Sequence, residues 1–178
     1  MIKTSSTFWV LLLASLLLLS GCGYYFPHDY QGPRRVIYAA TWNNRTNKLN
    51  LDMRIYQSLS RWFQKTQSID LTKEKAGADY ILAGEVISID LPTVSWSSNS
   101  STSSTKVSLY VRYSLKDLRT GKAVWEVNRK LYTADSSVQV ATTASDDEAL
   151  GTIIEDMSEN IYLGVLKKLR QNPALPAN

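Results

Sequence analysis

The sequence predicts an α/β (α+β) two-layer sandwich, in which two amphipathic helices cover one face of a sheet of about four strands. Two segments of the chain place apolar residues at spacings of three and four, which is the helical period. Other segments favour extended structure, and two of them flank a Thr-Gly turn. Along the chain these elements give the order β-α-β-β-β-α.

The first strand and the first helix are predicted at the start of the domain. Arg35–Thr41 contains β-branched and aromatic residues and is predicted to be extended. A polar loop, Asn43–Asn50, follows, and Asn50 is expected to cap the next helix. This helix is predicted over Leu51–Thr66, because one of its faces is apolar and consists of Leu51, Ile55, Leu59, Trp62 and Phe63.

Three strands are predicted next. Tyr80–Leu91 is rich in aliphatic residues, and Gly84 near its centre indicates a bulge or the close approach of another chain. Lys106–Leu118 alternates between apolar and polar residues, as a half-buried strand does. The Thr120-Gly121 turn then leads into a strand over Ala123–Ala134.

The alternation in the last two strands predicts which side chains face the helices. Trp125, Val127 and Leu131 are predicted to face inward, together with Leu109 and Val111. The helix residues expected to pack against this face are Leu59, Trp62, Ile154 and Ile161. The outward face is predicted to carry Tyr110, Arg112, Lys116, Glu126, Lys130 and Tyr132.

A long second helix is predicted to close the domain and to end near Arg170. Ser145 followed by Glu148 matches a capping box. The carboxylates of residues 146–148 are therefore interpreted as the start of a helix, where negative charge is favoured, rather than as a site. The apolar face of this helix is Leu150, Ile153, Ile154, Met157, Ile161, Val165 and Leu169.

The start of the chain has the features of a bacterial lipoprotein signal. Lys3 is the only charged residue before position 22, and the apolar run Phe8–Leu19 is shorter than the about 20 residues that a membrane-spanning helix needs. The run ends in Leu19-Ser20-Gly21-Cys22, which resembles a lipobox. Cleavage before Cys22 and attachment of lipid, including palmitate, to Cys22 are expected. A plain signal peptide with a chance cysteine is the alternative.

The chain is accordingly divided into four parts. Residues 1–21 are a lipoprotein signal peptide, 22–33 a lipidated tether, 34–170 a single α/β domain and 171–178 a flexible C-terminal tail. The aromatic residues of the tether are expected either to pack onto the edge of the domain or to settle at the level of the lipid headgroups.

The composition argues against several classes of function. Cys22 is the only cysteine and His28 the only histidine, so a catalytic triad, a histidine zinc site or a disulfide is not expected. A glycine-rich phosphate loop and a nucleophile elbow are also missing from the sequence. The net charge of +4 includes no long basic run, which argues against nucleic acid and is compatible with an anionic lipid. We therefore expect no enzymatic activity, cofactor or metal.

Three stretches of the chain carry a resemblance beyond the lipobox. They are Gly32-Pro33-Arg34-Arg35-Val36, Trp42-Asn43-Asn44-Arg45-Thr46 and Ala78-Asp79-Tyr80-Ile81-Leu82-Ala83-Gly84-Glu85-Val86. Together with the order of the elements, they resemble the LptE family of lipopolysaccharide-assembly lipoproteins. The resemblance implies a protein without enzymatic activity that helps the outer-membrane β-barrel LptD to assemble, plugs that barrel and binds lipopolysaccharide for its insertion at the cell surface.

The resemblance does not identify the residues that contact lipopolysaccharide. By their chemistry alone, Arg112, Lys116 and Lys130 are candidates, because cationic side chains bind phosphate groups. A solvated sheet face is the alternative. Gly23 follows the lipidated cysteine, where an aspartate commonly retains bacterial lipoproteins in the inner membrane, so we expect outer-membrane anchoring with the domain facing the periplasm.

A second interpretation is a periplasmic regulatory lipoprotein that activates a cell-wall synthase. Such activators usually carry a long disordered linker after the lipidated cysteine. The tether here ends at Pro33, which would keep the domain close to its membrane and favours the lipopolysaccharide interpretation.

Overall fold

A six-stranded mixed sheet and two helices form the part of the chain that the computed structural model describes, which is residues 32–91, 105–136 and 143–171. The strands are β1 (Arg35–Ala39), β2 (Asn43–Asn44), β3 (Ile69–Thr72), β4 (Tyr80–Asp90), β5 (Thr105–Asp117) and β6 (Ala123–Ser136). The helices are α1 (Leu51–Phe63) and α2 (Thr143–Gln171). The predicted signal peptide, Cys22, most of the tether and the tail from residue 172 lie outside the described residues.

The predicted two-layer α/β class is confirmed, but the prediction of about four strands was wrong. The sheet runs β3-β1-β4-β5-β6, and β2 pairs with β4. β1, β2, β3 and β4 pair in parallel, whereas β4, β5 and β6 are antiparallel. The two strands that the sequence did not predict have two and four residues, which is too short for a period of two to be recognised.

The core lies between the helices and one face of the sheet. Leu59 and Ile161 are fully buried, and Trp62 and Ile154 are also buried, as predicted. They belong to one apolar cluster with Leu109 and Val111, against which Trp125 and Val127 pack while partly buried. Within the described residues, neither helix combines the length and the apolarity that crossing a membrane requires.

Two glycines allow tryptophan rings to lie directly on the backbone. A Cβ atom at Gly84 of β4 would lie 2.4 Å from Cε2 of Trp42, and one at Gly164 of α2 would lie 2.2 Å from Cη2 of Trp125. Such distances are far below van der Waals contact, so a larger residue would displace the ring. A close approach at Gly84 is thus present, but it is made by an indole of the same chain rather than by another chain. The register shift in β4 lies further on, between Val86 and Ser88.

The ends of the helices differ from the sequence prediction. α1 ends at Phe63 rather than near Thr66. Asn50 makes no side-chain capping bond, so that prediction was wrong, and its backbone instead adopts a left-handed conformation with φ 61°. α2 begins at Thr143, which places Ser145 inside the first turn rather than at the cap. The predicted turn at Thr120-Gly121 is present, and the N–H of Gly121 donates to the carbonyl of Asp117 over 2.8 Å.

Candidate functional site

The sheet face that turns away from the two helices is the candidate functional surface, and we call it the open face. On β5 it carries the side chains that alternate with the buried ones, among them Tyr110, Arg112 and Lys116. Arg112 and Lys116 are exposed there, as predicted. They lie four residues apart on one strand, so both point into the same solvent region.

A cluster of two arginines around one glutamate occupies the centre of the open face. Glu85 of β4 lies opposite Arg112 of β5 in the ladder, and Arg45 approaches from the end of β2. Both guanidinium groups contact the carboxylate. The Glu85 side chain is only 7% exposed, whereas Arg45 and Arg112 are 59% and 52% exposed. The cluster therefore presents two accessible cations above a buried anion, with one net positive charge.

Sequence reasoning missed Arg45 and Glu85. Both occur in the stretches that carry the family resemblance, and Glu85 is a charged residue within the otherwise apolar segment Tyr80–Ile87. A charge at such a position needs a partner, which is the signal that could have drawn attention to it. The partners themselves become visible only when the strand register is known.

A further cation on the open face comes from β6. The guanidinium carbon of Arg129 lies 4.5 Å from the centre of the Tyr110 ring, in the range of a cation–π interaction. Leu131, which pairs with Tyr110 across the strands, is 46% exposed. The open face thus combines aromatic, aliphatic and cationic groups.

Lys130 lies on the opposite side of the sheet, so the prediction that it shares a face with Arg112 and Lys116 was wrong. The register of β5 and β6 shifts between Val111 and Tyr113, and Lys130 pairs with Val111. Its Nζ lies 3.4 Å from Oδ1 of Asn160 on α2, and burial lowers the pKa of this ammonium group.

The same register shift also reverses the direction in which the two residues after Lys130 point. Tyr132 is buried on the helix side, and Leu131 points outward, both contrary to the prediction. The physical reason is a bulge, because one extra residue in a strand moves every later side chain to the other face.

A shallow pocket of about 270 Å³ opens beside the cluster on the open face. Its walls include Glu85, Arg112, Ser114, Glu126 and Asn128. These groups can form hydrogen bonds and ion pairs with a phosphate or with another protein. Among the described residues, no three His, Cys, Asp or Glu side chains converge on a point where a metal ion could bind.

On the helix side of the sheet, ionic contacts join α2 to α1 and to the loop that precedes α1. Nζ of Lys48 lies 2.7 Å from Oδ1 of Asp147, and the hydrogen bond from Lys48 holds the pKa of that carboxyl below its usual value. Glu155 accepts hydrogen bonds from Ser58 over 2.7 Å and from Arg61 over 2.8 Å. Burial alone would raise the pKa of Glu155, but these bonds and the charge of Arg61 outweigh it, so the pKa is lowered.

Comparison with protein families gives one match, which spans most of the described domain. The model of the family described as LptE, lipopolysaccharide-assembly, matches residues 35–163. No curated protein sequence matches the chain.

Solved structures share the fold at low sequence identity. A protein from Xanthomonas campestris is 11% identical with a TM-score of 0.55, and the match covers 81% of this chain and 91% of that one. An uncharacterised protein from Chlamydia trachomatis is 14% identical with a TM-score of 0.55, with 78% and 99% covered. A candidate lipoprotein from Caulobacter crescentus is 16% identical with a TM-score of 0.50, with 78% and 93% covered. These likenesses show a common fold.

Proposed function

Because this chain belongs to the LptE family of lipopolysaccharide-assembly proteins, we propose that it is an outer-membrane lipoprotein subunit of the lipopolysaccharide translocon. It is anchored through lipid on Cys22, helps an LptD-type β-barrel to assemble and plugs it, and binds lipopolysaccharide on its way to the cell surface. The observation that carries this proposal is the family match over residues 35–163, which spans both layers of the fold. The family is a non-enzymatic one.

The open face supports the part of the proposal that concerns lipopolysaccharide. Arg112 and Lys116 are joined there by Arg45 and Arg129, whereas Lys130 no longer belongs to the set. Phosphate groups of lipopolysaccharide can accept charge-assisted hydrogen bonds from exposed guanidinium and ammonium groups. The Glu85 carboxylate neutralises part of the positive charge of the arginines that it contacts. The site we propose is therefore a moderately cationic surface that also offers Tyr110 for apolar contact.

Purification of the lipidated full-length protein from outer membranes tests the partner. We expect an LptD-type barrel to co-purify with it. We further expect Cys22→Ala to leave an unprocessed precursor, because the sulfur that receives the lipid is gone. Recovery of a cell-wall synthase and no barrel would contradict the proposal. Normal processing and membrane retention of the Cys22→Ala protein would contradict the anchor.

Replacing the cations of the open face tests the glycolipid contact. We expect the double variant Arg112→Ser and Lys116→Ser to bind lipopolysaccharide several-fold more weakly than wild type. Its binding should also depend less on the salt concentration, because the exposed charge contacts that salt screens have been removed. A double variant Lys75→Ser and Lys167→Ser is the matched control, since both lysines are exposed and the change in net charge is the same. Equal binding by the two double variants would remove the open face from the proposal.

A further inference from the structure

Glu85 lies between two arginines that come from the strands on either side of β4. Arg45 follows directly after β2, and Arg112 lies on β5. Neighbouring strands lie about 4.8 Å apart, so the backbones of the two flanking strands are about 10 Å apart. Both guanidinium groups nevertheless contact the same carboxylate. The two side chains therefore converge over β4, and we call Glu85, Arg45 and Arg112 the Glu85 cluster.

The burial of Glu85 brings little stability to the sheet. The side chain is only 7% exposed, and taking a carboxylate out of water is unfavourable unless its partners compensate. Both arginines remain more than half exposed, and ion pairs whose cations stay in water contribute little to stability. Ile81 and Ala83, which precede Glu85 on the same face of β4, are uncharged. The effect of Glu85 on the two arginines explains its presence better than the stability of the strand does.

Glu85 leaves much of the hydrogen-bonding capacity of both arginines free. A guanidinium group carries N–H groups on Nε and on both Nη atoms. Arg112 places Nε and Nη2 against Glu85, and Arg45 places Nε there. Within the part of the chain that the structure describes, Nη1 of Arg112 and both Nη groups of Arg45 make no hydrogen bond or ion pair. Two sets of free donors are thus held close together, which suits a single phosphate group.

The pocket of about 270 Å³ that Glu85 and Arg112 help to line indicates what accompanies the phosphate. Its other polar walls are Asn43, Ser114, Glu126 and Asn128. Amide and hydroxyl groups together donate and accept hydrogen bonds, as the hydroxyl groups of a sugar do. The carboxylate of Glu126 accepts hydrogen bonds from hydroxyl groups but would repel a phosphate inside the pocket. The pocket therefore suits a sugar ring, whereas a phosphate is favoured over the two arginines.

A bulge in β6 brings Asn128 to this pocket. Two residues of β6, Asn128 and Arg129, lie opposite the single residue Arg112 of β5. Asn128 lines the pocket, and Arg129 lies over the ring of Tyr110 on the open face. A regular strand would direct only one of two successive side chains to this face. Bulges often lie beside functional sites, where they redirect a side chain, and this one adds a polar wall next to the Glu85 cluster.

We propose that Glu85 is a positioning residue that holds Arg45 and Arg112 together as a site for one phosphate group of lipopolysaccharide, with the sugar that carries this phosphate seated in the adjoining pocket. The inference rests on the proposed function, because it takes lipopolysaccharide as the ligand. It gives an acidic residue a favourable role in binding an anion. The two guanidinium groups are ordered before the ligand arrives, and this lowers the cost of ordering them on binding.

Replacement of Glu85 by glutamine separates positioning from simple charge, because the two predict changes of opposite sign. Glu85→Gln keeps the size of the side chain and makes the surface more positive. A surface that acts only through its charge would then bind lipopolysaccharide more tightly. We expect the reverse: the purified full-length lipidated variant should bind about ten-fold more weakly than wild type, which corresponds to about 1.4 kcal/mol. Equal or tighter binding would overturn the inference and leave the proposed function standing.

Two further variants control for charge and for folding. Asp90→Asn makes the same change of charge at an exposed residue of the same strand and the same face, and it is expected not to weaken binding. A loss as large as that of Glu85→Gln would overturn the inference. Arg45→Lys keeps the charge and the buried carboxylate but removes the planar group that Glu85 orients. It is expected to bind several-fold more weakly, and unchanged binding would overturn the inference even if Glu85→Gln lowers the melting temperature.

Lipopolysaccharide from which the phosphate groups have been removed identifies the group that is bound. Wild type is expected to bind it about ten-fold more weakly than the intact molecule, whereas Glu85→Gln should distinguish the two much less. Equal binding of both by wild type would overturn the inference. Phosphatidylglycerol vesicles, which offer phosphate without this sugar, are expected to compete poorly, and competition as strong as that of lipopolysaccharide would also overturn it. If wild type bound no lipopolysaccharide, the glycolipid part of the proposed function would fall as well.

Discussion

The contact between Gly164 and Trp125 predicts an unusual response to an alanine substitution in a helix. Gly164 lies inside α2, where replacing glycine by alanine ordinarily stabilises a helix by about 0.8–1.0 kcal/mol. Here the new Cβ would lie 2.2 Å from Cη2 of Trp125, 2.7 Å from Cζ3 and 2.9 Å from Cζ2. The indole is a rigid group, so the helix and the strand must separate to make room.

The size of this effect can be worked out from the distances. Ordinary contact begins at 3.4 Å, so a separation of 1.2 Å, the difference between 3.4 and 2.2 Å, is needed at the closest atom. Overpacking of this kind costs about 1–3 kcal/mol, which cancels or exceeds the gain in helix propensity. We therefore expect Gly164→Ala to lower the free energy of unfolding or leave it nearly unchanged.

Gly151 provides the matched control in the same helix. A Cβ there would meet only Nη2 of Arg54, at 3.5 Å, which is ordinary contact. Gly151→Ala is expected to stabilise the domain by about 1 kcal/mol. Chemical denaturation of the two variants should give free energies of unfolding that differ by about 1–3 kcal/mol, with Gly164→Ala the less stable. Equal stabilisation by both alanines would refute the packing of α2 on β6 at Trp125.

Two further predictions concern the core and the contact between the helices. Trp62→Ala and Ile161→Ala should each lower the free energy of unfolding by roughly 2–5 kcal/mol, measured by denaturant titration, and unchanged midpoints for both would mean that the buried helix faces are wrongly assigned. Glu155→Gln should cost roughly 0.2–1 kcal/mol near neutral pH, since Glu155 and Arg61 are both substantially exposed. The pKa of Glu155 in the folded protein is held below the ordinary value of 4.5, so its contribution is present above that pH and is lost as the pH falls through the lowered pKa. Stability curves of wild type and Glu155→Gln should therefore converge in acid, and a constant gap down to the lowest pH would contradict this account.

The long elements of the fold could be predicted because the spacing of their apolar residues repeats along the sequence. The apolar face of α1 recurs over several turns, and β5 alternates cleanly along its length, so both were placed within a few residues of their observed ends. β2 and β3 could not be predicted, because strands of two and four residues are too short to show an alternation of apolar and polar side chains. Their pairing also depends on β4 and β1, which are distant in sequence.

The candidate site was predicted only in part, and the reason is the bulge opposite Arg112. Arg112 and Lys116 lie on one regular strand and were correctly placed on one face, whereas Lys130 follows the register shift and was not. Whether a strand bulges depends on its pairing with its neighbour, which a single sequence does not display. The Arg45–Glu85 contact likewise depends on the parallel register of β2 with β4.

Depletion of the protein from cells tests the central claim most directly. The amount of folded LptD-type barrel can be measured by its heat-modifiable mobility on gels, alongside lipopolysaccharide exposed at the cell surface. If the chain acts as an LptE-family subunit, depletion should lower both quantities before growth stops. Unchanged levels of folded barrel and of surface lipopolysaccharide, together with reduced cross-linking of the cell wall, would contradict the account and favour an activator of a cell-wall synthase.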